Sequence, residues 1–164
     1  MKMAALCFIE KDNKVLMLHR IKMENDMHQG FWVGLGGKFE AGESPEECIR
    51  REVLEESGLT IEAPVLRGIL TFPCLMGTDD WYVFLFHATD YTGELIDCNE
   101  GELAWVDKAA LVDLPMHEGD RRFLQSMWEE PGFFSAKLTH DGETLTEYTL
   151  HTYGGVSHGN GPNS

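Results

Sequence analysis

The chain has no apolar run long enough to span a membrane. Its most apolar early stretch, Ala4–Ile9, is also too short for the core of a secretory leader with a cleavage site. Cysteine is sparse: Cys7, Cys48, Cys74 and Cys98 form no C-x-x-C pair and share no regular spacing. That excludes a disulfide framework, and the expectation is reduced thiols in a cytoplasmic protein. Positive charge is short too, with 13 Lys+Arg against 28 Asp+Glu, a formal net charge of −15. Without a basic stripe, a nucleic-acid polymer is not an expected partner. A small polyphosphate remains possible, held through metal ions and a few local cations. There is no internal repeat and no interdomain linker. The length of 164 residues suits one domain with an adequate core, expected over residues 1–153. Residues 154–164 are rich in Gly, Asn and Ser, cannot bury useful apolar surface, and are expected to be a disordered tail.

What is present is a mixture of strand-like and helix-like segments. Ala4–Ile9 and Val15–Arg20 flank Lys11-Asp12-Asn13-Lys14 and read as a hairpin. Residues 21–29 are polar and lead as a loop into a glycine-rich turn. Val65–Phe72 and Trp81–Thr89 are strand candidates, with Pro73–Asp80 as the loop between them. Leu103–Val106 is a short strand and Lys108–Leu114 a short helix. Asp120–Glu129 is a longer helix, with Phe123, Leu124, Met127 and Trp128 at helical spacing. Phe133–Thr139 and Thr144–Thr152 flank Asp141-Gly142, the mark of a C-terminal hairpin. The pattern predicts an α/β sandwich.

Residues 37–59 hold the chemistry. Ser44, Pro45 and Glu47 spell a capping box with proline at the first helical position, and Gly58 closes the helix, so it should run from about Pro45 to Ser57. At roughly 100° per residue, Glu52, Glu55 and Glu56 share a sector about 100° wide. Like charges at this spacing cost roughly 0.2–0.5 kcal/mol per pair. Glu55 and Glu56 also fall in the last turn, where the helix dipole disfavours anions, and Arg50 and Arg51 offset only part of this. A local rule broken in this way points to a site. A hard divalent cation would resolve it, since such ions take carboxylate oxygen. A solvated acidic face is the bland alternative.

The order of residues decides between them. Gly37, Glu43, Arg51, Glu52, Val53, Glu55, Glu56, Gly58 and Leu59 fit G-x5-E-x7-R-E-U-x-E-E-x-G-U, where U is a bulky apolar residue. The segment resembles the signature of the Nudix hydrolases, which cleave nucleoside diphosphates linked to another moiety. Residues 4–150 further resemble the MutT-like 8-oxo-dGTP diphosphatases, notably at Gly30–Gly37 and Asp97–Gly101. The resemblance implies the Nudix fold, a mixed β-sheet sandwiched between helices, here with an additional C-terminal hairpin. It implies Mg²⁺, with Mn²⁺ as a substitute, a small-molecule nucleotide substrate, and a monomer or homodimer.

The resemblance also implies roles. Glu52, Glu55, Glu56, Glu100 and the Gly36 carbonyl correspond to metal ligands. The general base falls among Glu52, Glu56 and Glu100, with Glu52 first. Arg51 orients the glutamates, and Glu43 supports the turn into the helix or contacts metal. Arg20 and Lys38 correspond to phosphate contacts. Val33, His117 and Asp120 fall at base-pocket positions. Val33 stands where some relatives carry a base-reading asparagine, and His117 where some carry a stacking tryptophan. Asp120 can hydrogen-bond a purine or cap the helix that follows it. Phe31, Trp32, Phe72 and Trp81 are candidates for the pocket or for the core. An alternative reading is an ADP-ribose or dinucleotide pyrophosphatase, for which Pro73, 14 residues after Leu59, is a weak mark. Another is a nucleotide-sensing module without catalysis, although no box glutamate is missing.

Overall fold

The computed structural model describes residues 1–26, 28–75 and 77–153; the disorder expected of 154–164 lies outside them. Strands β1 (Lys2–Lys11) and β2 (Lys14–Arg20) form the first hairpin. Its turn, Asp12-Asn13, has φ of 54° and 64°, the left-handed pair that a two-residue hairpin turn requires. Then come β3 (Trp32–Val33), β4 (Leu35–Lys38), helix α1 (Pro45–Ser57) and β5 (Thr60–Ile61). They are followed by β6 (Val65–Leu75), β7 (Asp79–Ala88), β8 (Tyr91–Thr92) and β9 (Gly101–Asp107). A 3-10 turn (Lys108–Asp113), helix α2 (Glu118–Glu129), β10 (Phe134–Asp141) and β11 (Thr144–Thr152) complete the order.

The main sheet runs β11-β10-β6-β7-β1-β2-β3, with β4 also pairing β1 and β9 pairing β2. The pairs β1–β7 and β6–β10 are parallel and the others antiparallel, so the sheet is mixed. One core cluster, which includes Cys7, Leu35, Ile49, Val53 and Phe86, lies on the α1 side. The other, which includes Phe8, Leu70, Phe123, Met127 and Leu138, lies on the α2 side. The sheet is therefore sandwiched between the two helices, and the C-terminal hairpin is β10–β11. Among the described residues no helix is long and apolar enough to cross a membrane.

Several boundaries differ from the sequence expectation, each for a physical reason. The glycine-rich segment is a strand rather than a turn. A Cβ on Gly36 would stand 2.0 Å from the Ala5 carbonyl oxygen, so glycine is what allows β4 to lie this close to β1. Pro73–Asp80 is not a long loop, because β6 continues through Pro73 to Leu75. The β6–β7 register shifts between Phe72 and Leu75, and Cys74 takes φ 44°; a bulge is where a strand tolerates proline. Helix α2 begins at Glu118, two residues before the expected start, and Lys108–Asp113 is a 3-10 turn. The short strands β5 and β8, absent from the expectation, pair only with each other.

Candidate functional site

Helix α1 starts and stops as its sequence dictates. Ser44 Oγ accepts from the Glu47 amide at 3.1 Å, and Glu47 Oε1 accepts from the Ser44 amide at 2.8 Å. Gly58, at φ 84°, donates its N–H to the Leu54 carbonyl, and glycine is the residue that adopts this left-handed cap without strain. Cys48, Ile49 and Val53 are fully buried. That anchoring sets the rotation of the helix and carries Glu56, 8% exposed, inward with them.

Arg51 organises the glutamates. Its guanidinium donates to both carboxylate oxygens of Glu43, at 2.6 and 3.0 Å, to Glu52 at 2.9 Å, and to the Lys38 carbonyl at 3.0 Å. Glu55, more than half exposed, lies 3.5 Å away. The fork beside Glu43 holds that carboxyl down at about 2. Glu43 therefore ties the loop to the helix, since its Oε1 also accepts from the Glu40 amide at 2.8 Å.

Two glycines admit the remaining carboxylates. A Cβ on Gly37 would lie 2.5 Å from the Glu52 carboxyl carbon, so Glu52 rests against bare backbone. Burial raises the proton affinity of Glu52, as do Glu55 and Glu100, against the pull of Arg51. Glu56 Oε1 accepts from the Gly36 amide at 3.0 Å. Burial, then the charges of Glu100 and Glu52, push Glu56 up to about 8. Glu100 reaches the group from the turn just before β9 and is bound at 2.7 Å by Arg20, which also donates to Asp26 at 2.8 Å.

Among the described residues no three of these side chains stand close enough together to form a finished metal cage; Arg51 and Arg20 intervene. The donor set nonetheless fits a hard divalent cation. It offers only carboxylate oxygen on the side chains, and it gathers Glu52, Glu56 and Glu100 near enough for each to raise the proton affinity of another, which is where positive charge is needed.

A cavity of about 360 Å³ adjoins these carboxylates. Gly36, Gly37 and Arg20 form one end, and Phe72, Phe123, His117, Asp120 and His140 are among its other walls. Its surface is mostly apolar, with Leu6, Leu70 and Val83 contributing. Asp120 is not the helix cap: His117 occupies that position, without a side-chain cap bond, and Asp120 lies in the first turn of α2. Burial pushes its carboxyl up to about 7. His117 packs on Phe31, with ring centroids 4.2 Å apart, and its Nε2 lies 2.8 Å from His28 Nδ1. Burial and the neighbouring His117 hold His28 down at about 4.

Of the sequence candidates, Gly36, Val33, Arg20, His117 and Asp120 line the cavity. Glu52 and Glu56 stand behind its glycine end. Lys38 is not in the wall; its ammonium sits 5.7 Å from the ring centroid of Trp81, which is. Trp81 and Phe72 take wall positions, whereas Trp32 stacks on His19 at 4.3 Å. Sequence reasoning missed Asp26, His28, His140 and Glu143. Asp26 and His28 lie in the polar 21–29 loop, where nothing in spacing separates a structured residue from a solvated one. The Asp141-Gly142 signal finds the second hairpin but not its contact with the cavity.

A family profile described as NUDIX domain matches residues 1–127. An uncharacterized Nudix hydrolase of Bacillus subtilis, YvcI, is 36% identical over 149 residues, covering 88% of this chain and 90% of the relative. An oxidized purine nucleoside triphosphate hydrolase of Danio rerio is 33% identical over 121 residues, 74% of this chain and 78% of the relative. A crystal structure described as a mutator MutT protein from Bacillus halodurans superposes with a TM-score of 0.80 at 30% identity, covering 92% of this chain and 97% of that one. The chain belongs to the Nudix family, on its MutT-like side.

Proposed function

We propose that this Nudix-family hydrolase cleaves purine nucleoside triphosphates, oxidised ones such as 8-oxo-dGTP among them, to the monophosphate and pyrophosphate. The observation that carries the reading is the continuity of the cavity. One end abuts Glu52 and Glu56, and the other is a mostly apolar chamber with the Asp120 carboxyl in its wall. The named activity of the Danio rerio relative supports the same substrate class.

Phosphoanhydride hydrolysis needs neutralised phosphates, an activated water and alignment of the two. Glu52, Glu55, Glu56, Glu100 and the Gly36 carbonyl would hold Mg²⁺ or Mn²⁺, which when bound neutralises phosphate charge and makes water more acidic. Arg51 keeps Glu43 and Glu52 in place. We assign the proton-accepting role to Glu52, whose proton affinity is raised while its carboxylate stays fixed against Gly37. Arg20 holds Glu100 and faces the cavity, where it can also meet a phosphate. Lys38, beside Trp81, adds positive charge next to the cavity wall. Asp120 reads the base edge, and Val33 and His117 shape the chamber. Water attacks the β-phosphorus, and the bond from that phosphorus to the α–β bridging oxygen breaks. The bridging oxygen leaves on the monophosphate, and the oxygen of the water enters pyrophosphate.

Hydrolysis in ¹⁸O-labelled water tests this directly. Label is expected in pyrophosphate. Label only in the monophosphate means attack at the α-phosphorus, and release of orthophosphate alone excludes this reaction. The same products measured over 8-oxo-dGTP, dGTP, dCTP and ADP-ribose give the base preference through kcat/KM.

A further inference from the structure

The family profile ends at residue 127, but the cavity wall does not. It is completed by His140, Gly142 and Glu143 of the β10–β11 hairpin. Three features of His140 mark it as more than filling. First, the strand register shifts at this residue: Thr139 pairs with Glu147 and His140 with Leu145, leaving Thr146 as the extra residue. Thr146 Oγ1 fixes the irregularity by donating to the Thr139 carbonyl at 3.1 Å. A bulge of this kind re-aims a side chain and is frequent beside sites.

Second, the imidazole lies nearly parallel to Phe72, with centroids 6.1 Å apart and 21° between planes. Both rings belong to the cavity wall. Third, its hydrogen-bonding capacity is unused. His140 Nδ1 is buried and has no partner among the described residues. Its Nε2 faces the first turn of α2 at Gly119, where a Cβ would stand 3.5 Å away and where there is no side chain to bond. Buried polar atoms are paired in the great majority of cases, so an exception in a cavity wall calls for a ligand.

We propose that His140 is a specificity-determining residue, which reads the base from the hairpin side while Asp120 reads it from helix α2. The proposal rests on the reading of this chamber as a base pocket. A two-ring base carries polar atoms on both rings and can engage both groups. A one-ring base engages only one of them, so the preference is for purines.

The test is equilibrium binding of dGMP, 8-oxo-dGMP, dAMP and dCMP to the full chain and to two variants. His140→Phe keeps a flat ring against Phe72 and removes both nitrogens; His140→Gln restores a donor and an acceptor. His140→Phe is expected to weaken the tightest purine monophosphate by about tenfold and dCMP by no more than about twofold, with His140→Gln recovering part of the loss. Equal loss for all four ligands, no loss, or the same loss in both variants overturns the proposal. So does a parent protein that binds no purine better than dCMP. Because binding needs no turnover, failure to hydrolyse any triphosphate would reject the proposed function and leave this result readable.

Discussion

The two ends of the cavity solve the problem of a buried carboxyl in different ways. At the glutamate end, charge is answered by charge. Arg51 grips Glu43 and Glu52, Arg20 grips Asp26 and Glu100, and only Glu56 is left to keep a proton near neutral pH. At the chamber end no cation among the described residues answers Asp120, and burial raises its carboxyl. The first end is a network whose members depend on one another, suited to holding a cation and a triphosphate. The second is a mostly apolar chamber with a few polar groups in its wall, Asp120 and His140 among them, suited to choosing among flat ligands. Changes at the first end should therefore lower turnover on every substrate, and changes at the second should alter only the choice.

The largest expected effect is at Glu56. Glu56→Gln keeps the volume and removes the charge. Its turnover should fall on all nucleotides by more than the roughly 10–100-fold that follows loss of an outer-shell metal partner, as steady-state kinetics across the panel will show. Its metal-free melting temperature at alkaline pH should rise. Next is Arg51→Met, which strands Glu43 and Glu52. Unfolding by urea should show a lowered midpoint, together with uniform loss of activity. Asp120→Asn should lower kcat/KM for the preferred purine by about tenfold, or about 1.4 kcal/mol, and leave dCTP nearly untouched. A uniform loss there would erase the distinction between the two ends.

The smallest effect is the pH dependence of stability. Asp120 and Glu56 both bind protons more tightly folded than unfolded. The stability this lends is full below their unfolded values and is lost as pH rises through about 7 for Asp120 and about 8 for Glu56. In chelator, melting temperature should therefore decline from pH 5 to pH 8.5. Glu56→Gln should flatten the whole of that decline and Asp120→Asn only the part below about pH 7. Parallel curves for the parent and both variants would mean that neither carboxyl is perturbed.

The same contrast explains what could be read from the sequence. The glutamate end is largely local: cap, helix period and terminal glycine all lie within residues 44–58, and their geometry appears as written. Even there, the contact of Glu52 with Gly37 and the bond from the Gly36 amide to Glu56 depend on β4 lying against β1, which a turn-like glycine run conceals. The chamber is assembled from β6, α2 and the β10–β11 hairpin, segments with no common period. Asp120 looked equally like a cap because its role depends on where α2 begins, two residues earlier than its apolar pattern implies. His140 carries no linear signal, since its placement follows from a bulge and from a glycine in another element.

The most direct test of the central claim is turnover of the preferred purine triphosphate by the full chain, with Mg²⁺ and again after complete chelation. If the clustered glutamates hold a catalytic cation, hydrolysis to monophosphate and pyrophosphate stops in chelator, returns when Mg²⁺ or Mn²⁺ is added back, and is not restored in Glu56→Gln. Undiminished hydrolysis in chelator, or full activity in folded Glu56→Gln, would contradict it.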